Sequence, residues 1–328
     1  MSNTVVKEQE NKRTKKQSQF KELWRRFKKN PQAMIGLVIL IIMILTAISA
    51  EWIAPGTERD PGYDIQDLAV ARQFPSLEYP FGTDHFGRCI FSRVVHGSRN
   101  TLTVGLIALA VSATFGIILG AVAGYYTGLV DNIIMRLFDV ILAIPAILLA
   151  MALAAAIGRG INSLMIATGV AFIPFFARVV RGQVLSIREQ EYIEAARSVG
   201  ASDLRIIFKH VLPNSMAPII IQASMGIATM ILVISGLSFL GMGMFPPAPE
   251  WGMMLSDGRR FMLAGYWHMT VFPGVAIALV IIAFNLIGDG LRDAFDPKLR
   301  SAGFSMRRFK KIRRSIEKAE ISATEEVE

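Results

Sequence analysis

The side chains that could bind a metal or form a disulfide are few and far apart in this sequence. Cys89 is the single cysteine, so the chain has neither a CxxC pair nor an internal disulfide. The four histidines lack the spacing of metal ligands: His85, His96, His210 and His268. The phosphate-binding pattern GxxxxGK followed by Ser or Thr is absent as well. The sequence therefore predicts no cofactor, no metal site and no ATPase site of its own.

A serine nucleophile in an apolar segment is the remaining catalytic candidate. Gly236-Leu237-Ser238 faintly resembles the motif of an intramembrane serine protease. Such a serine also needs a base at membrane depth, and His268 lies only at the outer edge of the last apolar segment. We interpret Ser238 as a small packing residue and predict that the chain is not an enzyme.

One polar, basic and helix-forming stretch lies between two long apolar segments, where it could serve as a docking surface. It runs from Glu191 to Pro218, with the sequence EYIEAARSVGASDLRIIFKHVLPNSMAP. Ala195 and Ala196 favour a short helix, and Gly200 lies where that helix would stop.

A second short helix is expected after that glycine. Ser202 or Asp203 can cap it, and Pro213 should end it. Its apolar positions would be Leu204, Ile207, Phe208 and Val211. Two short helices at a right-angled bend, with polar faces outward, would form a docking surface, although a plain linker is the alternative.

The same stretch resembles the EAA loop of ABC-importer permeases. The match consists of Glu194-Ala195-Ala196, then Gly200 after three further residues, then His210-Val211-Leu212-Pro213 after nine more. In that family the loop carries the coupling helix that fits a groove on the cytoplasmic ATPase. The resemblance implies that the ATPase-coupling residues are Glu194, Ala195, Ala196, Gly200, Asp203, Leu212 and Pro213. Glu194 would supply a polar contact, the two alanines close approach, and Gly200 the bend.

The whole chain is too apolar for a soluble domain of average composition. Of its 328 residues 52% are hydrophobic, and the mean hydropathy is +0.44. The net charge of +9 could suggest a nucleic acid partner. However, the basic residues flank apolar segments, and the positive-inside rule explains that arrangement without one. The sequence therefore predicts a lipid bilayer around the chain and no nucleic acid partner.

Six apolar segments are long enough to cross a membrane as helices. They are Pro31–Ala50, Leu102–Tyr125, Asp139–Ile157, Ile161–Val180, Ala217–Gly241 and Thr270–Leu291. Prolines that can kink these helices are Pro145, Pro174 and Pro273. The segments predict an all-α integral membrane protein with six transmembrane helices.

The second segment carries a small residue at every fourth position. These residues are Ala108, Ser112, Gly116, Gly120 and Gly124. Such a ridge lets another helix approach closely, so we predict that this segment is packed in the interior of the bundle.

The two ends of the chain are polar and charged. Residues 1–30 are expected to form a cytoplasmic tail that ends in an amphipathic interfacial helix. The apolar face of that helix would be Phe20, Leu23, Trp24 and Phe27. Residues 301–328 would form a second cytoplasmic tail, and residues 31–300 the permease domain. Within that domain, residues 51–100 would be an extracytoplasmic loop and residues 181–216 the coupling loop.

Basic residues set the expected orientation in the membrane. With the N-terminus inside, 27 of the 35 Lys and Arg residues fall on the inner side. Both termini and the EAA-like loop would then be cytoplasmic in the plasma membrane, where an ATPase could reach the loop.

Three further stretches resemble the C-type permease subunit of dipeptide and oligopeptide importers. They are Pro80 to Leu102 (PFGTDHFGRCIFSRVVHGSRNTL), Pro246 to Leu255 (PPAPEWGMML) and Phe284 to Arg300 (FNLIGDGLRDAFDPKLR). That family usually has an acidic residue where this chain has Cys89, so any cap or salt bridge of the acid is in question here. Arg88, Arg93 and Arg99 have two open interpretations, a solvated basic face at the lipid headgroups or a functional role.

The resemblance implies a permease subunit that imports dipeptides or oligopeptides, with nickel or glutathione as the alternative cargo. It also implies a second, B-type permease subunit, two cytoplasmic ATPase subunits and an extracytoplasmic solute-binding protein. A secondary carrier or a channel is disfavoured, because Glu51, Asp139 and Asp289 lie near the ends of the apolar segments and no ionisable residue lies in the middle. A membrane scaffold is disfavoured by the coupling-type loop.

Overall fold

The computed structural model describes residues 21–55, 62–158, 160–245 and 247–296. Over these ranges the backbone is helical apart from turns, loops and one isolated antiparallel bridge between Thr83 and Cys89. The all-α prediction is therefore confirmed. Contacts within the chain divide it into a larger unit, residues 31–289, and a smaller unit made of residues 1–30 and 290–328.

The helices follow one another along the chain with mostly short connections. They are α1 (Pro31–Ile48), α2 (Ala50–Ile53), α3 (Ile90–Tyr126), α4 (Gly128–Leu142), α5 (Ala146–Ile157), α6 (Ile161–Arg188), α7 (Glu191–Ser198), α8 (Asp203–Ile206), α9 (Leu212–Leu237), α10 (Trp251–Met262) and α11 (His268–Phe295). Two π-helical turns, Ile207–Val211 and Ser238–Met242, join α8 to α9 and extend α9. A short 3-10 turn covers Leu68–Val70.

The third of the six predicted crossings is bent. Within the described ranges, five helical stretches are long and apolar enough to cross a membrane: Pro31–Ile48, Ile90–Tyr126, Ile161–Arg188, Asp203–Met242 and His268–Phe295. Helices α4 and α5 qualify only as a pair, and they are bent by 90°. The kink expected at Pro145 in the segment Asp139–Ile157 is therefore confirmed, and it is a full break between two helices. Pro145 lies at the break, because it has no N–H with which to continue the hydrogen bonds of α4.

Helix α3 packs on α6 along the ridge of small residues. The buried ridge consists of Ala108, Ser112, Gly116, Gly120 and Gly124. A Cβ atom on Gly120 would collide with the carbonyl oxygen of Ala177. A Cβ atom on Gly124 would lie 2.9 Å from the carbonyl oxygen of Arg181. The two backbones are thus in close contact, which confirms the packing prediction.

Apolar side chains from neighbouring helices complete the interior around this pair. One cluster joins α3, α5, α6 and α9 and includes Val104, Ala150, Leu164, Phe176 and Met230. A second joins α3 and α9 to α10 and α11 and includes Ile90, Ile231, Trp251, Met269 and Val280. A third lies under the polar loop and includes Tyr125, Val184, Ile193, Ile206 and Val211. This third cluster positions the candidate site.

Residues 62–89 fold onto the first residues of α11 and onto the end of α10, where the rings of His85 and Phe261 lie with centroids 5.2 Å apart. The ring of Phe81 stacks on that of Phe272 with centroids 4.1 Å apart. The Nε2 atom of His268 lies 3.2 Å from the carbonyl oxygen of Thr83. Residues 62–89 of the predicted extracytoplasmic loop are therefore an ordered segment, termed the cap.

Two of the three arginines in question are buried, Arg88 in the cap and Arg93 in the first turn of α3. Arg88 is 2% exposed, and its Nε donates to Oδ2 of Asp84 at 2.7 Å. Arg93 is 4% exposed, and its Nη1 donates to the carbonyl oxygen of Pro247 at 3.2 Å. The interpretation as a solvated basic face is wrong for these two, because Asp84 and the carbonyl oxygen of Pro247 replace water around them. Arg99 does remain about half exposed.

Of the smaller unit, the structure describes residues 21–30 and 290–296. Residues 21–27 form a helix, which confirms part of the predicted amphipathic helix, whereas Phe20 lies outside the described residues. The rings of Trp24 and Phe27 stack with centroids 5.8 Å apart. Asn30 Nδ2 donates to Oδ2 of Asp293 at 2.9 Å.

Candidate functional site

Helix α7 forms the first arm of the polar loop. Glu191 and Glu194 lie in its first turn and Arg197 in its last, so each charge is favourable at its end of the helix dipole. Ile193 is fully buried, whereas Glu194 and Ala195 are exposed. The short helix predicted from the sequence is confirmed, and it turns its acidic and small residues outward.

Gly200 ends α7 in a Schellman turn. Its φ of +77° lies in the left-handed region, which glycine adopts without strain. The N–H of Gly200 donates to the carbonyl of Arg197 at 2.9 Å. The N–H of Ala201 donates to the carbonyl of Ala196 at 3.1 Å, which completes the pair of bonds that defines this motif. The predicted stop of the helix at Gly200 is confirmed.

The second arm of the loop does not stop at Pro213. Helix α8 passes through the π-helical turn into α9, and Asp203–Met242 qualifies as one long helix. The prediction that Pro213 ends the helix is wrong, because proline is tolerated in a first helical turn and the π-helical turn already interrupts the regular hydrogen bonds. Ser202 holds the N-cap position of α8, but within the described residues its side chain makes no capping bond.

The buried face of this arm also differs from the predicted one. Ile207 and Val211 are buried as predicted, and Ile206 joins them. Leu204 and Phe208 were expected inside but are 65% and 68% exposed. Ile206 packs into the cluster with α6 and α7, and this contact rotates the side of α8 that carries Leu204 outward. The i, i+4 spacing of the two exposed residues places an apolar strip on the loop surface.

Tyr125, at the end of α3, connects this loop to the membrane helices. Its hydroxyl donates to Oδ1 of Asp203 at 2.6 Å. The guanidinium group of Arg197 lies 5.2 Å from the centroid of its ring. Tyr125 belongs to no motif of the sequence and stands out only as the residue after Gly124.

The site residues predicted from the sequence separate into two groups. The exposed group is Glu194, Ala195, Gly200, Asp203 and Pro213. Ala196 and Leu212 instead pack partly against the third cluster. Asp203 is exposed and also accepts the bond from Tyr125. The exposed group is the one that can touch a partner directly, while the other residues hold the loop in place.

The structure also bears on catalytic and metal chemistry. Ser238 is fully buried, and His268 lies against the Thr83 carbonyl. Among the residues that the structure describes, no group of three or more His, Cys, Asp or Glu side chains is placed to hold a metal ion.

Two family models match this chain. The family described as "Binding-protein-dependent transport system inner membrane component" matches residues 116–301. The family described as "N-terminal TM domain of oligopeptide transport permease C" matches residues 18–75.

Curated relatives and solved structures extend these matches. The dipeptide transport system permease protein DppC of Alkalihalophilus pseudofirmus is 46% identical over 286 residues, which are 87% of this chain and 91% of that protein. The glutathione transport system permease protein GsiD of Escherichia coli O6:K15:H31 is 45% identical over 279 residues, or 85% and 90%. An inward-facing structure of the MetNI methionine ABC transporter shares the fold, with a TM-score of 0.52 at 20% identity over 63% of this chain and 98% of that chain. The chain is thus a multi-pass membrane protein that belongs to the family of binding-protein-dependent transport system inner membrane components.

Proposed function

We propose that the chain is a transmembrane permease subunit of an ATP-driven importer, and that separate ATPase subunits dock on its polar loop. The observation that carries this proposal is the exposed face of the loop. Glu194 on α7 and the strip of Leu204 on α8 and Phe208 on the π-helical turn combine charge with apolar surface, as protein interfaces do. A plain linker would have no need of two large exposed apolar side chains on a polar loop.

The proposed cargo is a short peptide. The relatives named above are a dipeptide permease and a glutathione permease, and their identities to this chain differ by one percentage point. Glutathione is itself a modified tripeptide, so the two names agree on a small molecule with peptide bonds and charged ends. Glutathione therefore stands beside dipeptides and oligopeptides as a candidate, and nickel has no comparable support.

The proposed machine contains a second, B-type permease subunit, two cytoplasmic ATPases and an extracytoplasmic solute-binding protein. Both termini and the polar loop face the cytoplasm in this arrangement, in agreement with the side on which Lys and Arg are concentrated. ATP binding would draw the two ATPases together and pull on the docked loops. The membrane helices would then change from an inward-facing to an outward-facing arrangement, which accepts solute from the binding protein.

Substitution of Gly200 tests the docking loop. Valine at this position should cost about 1–2 kcal/mol because a β-branched residue is strained at positive φ. The Cβ itself would meet no described atom within 4 Å, so the effect comes from the backbone alone. We expect Gly200→Val to lose solute-stimulated ATP hydrolysis and uptake in lipid nanodiscs, while the permease still inserts and the binding protein still binds solute.

The matched control is Gly200→Asn, because asparagine tolerates the left-handed region far better than valine. It should retain most of the stimulated hydrolysis. Normal stimulation of the Gly200→Val complex would exclude a coupling role for this loop.

A further inference from the structure

We propose that Tyr125 is the positioning residue through which movement of the docked loop reaches the membrane helices. The inference rests on the proposed ATPase docking and adds a residue outside the EAA-like motif. Tyr125 is buried, so it cannot itself be a docking contact. Its role would be to hold both arms of the loop in a fixed relation to α3.

Tyr125 is held by one residue from each arm. Arg197 belongs to the last turn of α7, and its guanidinium lies 5.2 Å from the ring centroid. Asp203 is the first residue of α8 and accepts the hydroxyl at 2.6 Å. The Gly200 turn lies between these two residues, so the loop closes around the tyrosine. A displacement of either arm therefore displaces the same side chain.

The other side of Tyr125 is rigid. The residue before it, Gly124, belongs to the ridge, where a Cβ atom would lie 2.9 Å from the carbonyl of Arg181. Tyr125 itself shares a buried cluster with Val180 and Val184 of α6. Backbones in such close contact have no free space in which to absorb a displacement, so α3 and α6 move with the tyrosine as one body.

Tyr126 supplies a matched control beside the proposed residue. Its ring packs edge-on against Tyr125 with centroids 5.2 Å apart, yet it is about half exposed. Its hydroxyl takes no part in the contacts to Arg197 or Asp203 described above. A phenylalanine at position 126 therefore removes a hydroxyl of the same kind from the same helix without touching the connection.

The experiment uses the complete complex in lipid nanodiscs. It measures ATPase binding, unstimulated hydrolysis and hydrolysis stimulated by the solute-loaded binding protein. We expect Tyr125→Phe to bind the ATPase and hydrolyse ATP without stimulation as the natural complex does, but to lose about tenfold in stimulation, since a hydrogen bond to a charged acceptor is broken. Tyr126→Phe should leave stimulation unchanged.

A double-mutant cycle identifies the partner. Asp203→Ala should also lose stimulation. The double variant should be stimulated no less than the single variant that is stimulated least, because both changes remove the same bond. Additive losses, or normal stimulation in Tyr125→Phe, would overturn the inference. If Tyr125→Phe does not assemble, Asp203→Ala decides: loss of ATPase binding in that variant contradicts a relay, whereas retained binding with lost stimulation supports it. If Gly200→Val abolishes stimulation but Tyr125→Phe does not, the docking proposal remains supported and only the role of Tyr125 is excluded.

Discussion

Cys89 occupies the position at which a side-chain oxygen would complete the first turn of α3. It is the N-cap residue, with φ −65° and ψ 117° in the extended region that N-caps adopt. In the described part of the chain its side chain makes no capping hydrogen bond. A thiol is a weak acceptor, whereas a carboxylate accepts strongly from the free N–H groups of a first turn. The backbone is thus shaped for a cap that the side chain does not supply.

Replacement of this cysteine by a residue that can cap the helix should therefore stabilise the protein. Cys89→Asp is expected to raise the free energy of unfolding by about 1 kcal/mol, through the cap and the favourable charge at the helix N-terminus. Thermal unfolding of the complex in detergent measures the change. Cys89→Ala, which offers no acceptor, is the control and should show no gain. Equal melting temperatures for the two variants would contradict the capping argument.

Glu250 is a second N-cap, and here the capping side chain is buried. It is 1% exposed and begins α10. Its carboxylate accepts from the N–H of Gly252 at 2.9 Å and of Met253 at 3.0 Å. Burial raises the pKa of Glu250 above its ordinary value of 4.5, because the charged form loses its water, and the two cap bonds oppose this shift only in part.

This raised pKa gives a pH dependence of definite sign. The folded protein binds the proton of Glu250 more tightly than the unfolded chain, so its contribution to stability is fully present below pH 4.5 and is lost as the pH rises through the raised pKa. Glu250→Gln cannot titrate. We expect the melting temperature of the natural protein to fall relative to that of the variant as the pH rises from 4.5. A difference in melting temperature between the two proteins that stays constant with pH would show that Glu250 has the same charge in the folded and unfolded states.

Whether the contacts of a residue can be predicted from the sequence depends on how far along the chain its hydrogen-bond partner lies. The turn at Gly200 was predictable because a Schellman motif is made by bonds to residues three and five positions earlier. The burial of Arg93 was not, because its acceptor on Pro247 is 154 residues away. Tyr125 is a similar case, since Asp203 lies 78 residues further along the chain.

At the scale of helices, the ridge on α3 leads to a direct prediction. Gly120→Leu places a side chain where the Ala177 carbonyl already lies. Overpacking of this kind costs about 1–3 kcal/mol or more, so the yield of assembled complex and its melting temperature should both fall. Gly182 on α6 is the control, because a Cβ there would meet no described atom within 4 Å. Gly182→Leu should assemble normally, and equal losses in both variants would mean that the ridge does not hold α3 to α6.

The helices of membrane length were predictable, and Pro145 marked one of their breaks, but the size of that break was not predictable. A run of apolar residues encodes a helix of membrane length, which is why the crossings at α1, α3, α6, α9 and α11 were all predicted. The apolar character of a segment does not determine the angle between its helices, so it does not predict the 90° bend between α4 and α5. The continuation of α8 past Pro213 depends on a π-helical turn, and such turns have no simple sequence signature.

At the scale of the whole molecule, the proposed orientation can be tested by labelling. In a Cys89→Ala background, single cysteines at Ser76 and Ser202 place an exposed thiol in the cap and in the polar loop. In whole cells an impermeant thiol reagent should modify the Ser76→Cys protein, whereas the Ser202→Cys protein should react only after the cells are opened. Labelling of position 202 from outside would reverse the orientation and remove the docking proposal with it.

The contacts between Thr83 and His268, and between Phe81 and Phe272, join parts of the chain that the ribosome makes at different times. Thr83 and His268 are 185 residues apart. At about 5–20 residues per second, the earlier segment waits roughly 10–40 s for the later one. During that interval the ring of Phe81 lacks Phe272, on which it stacks, so a nascent chain that stalls before α11 presents an apolar surface to chaperones and proteases. Synthesis of α11 thus covers this apolar surface.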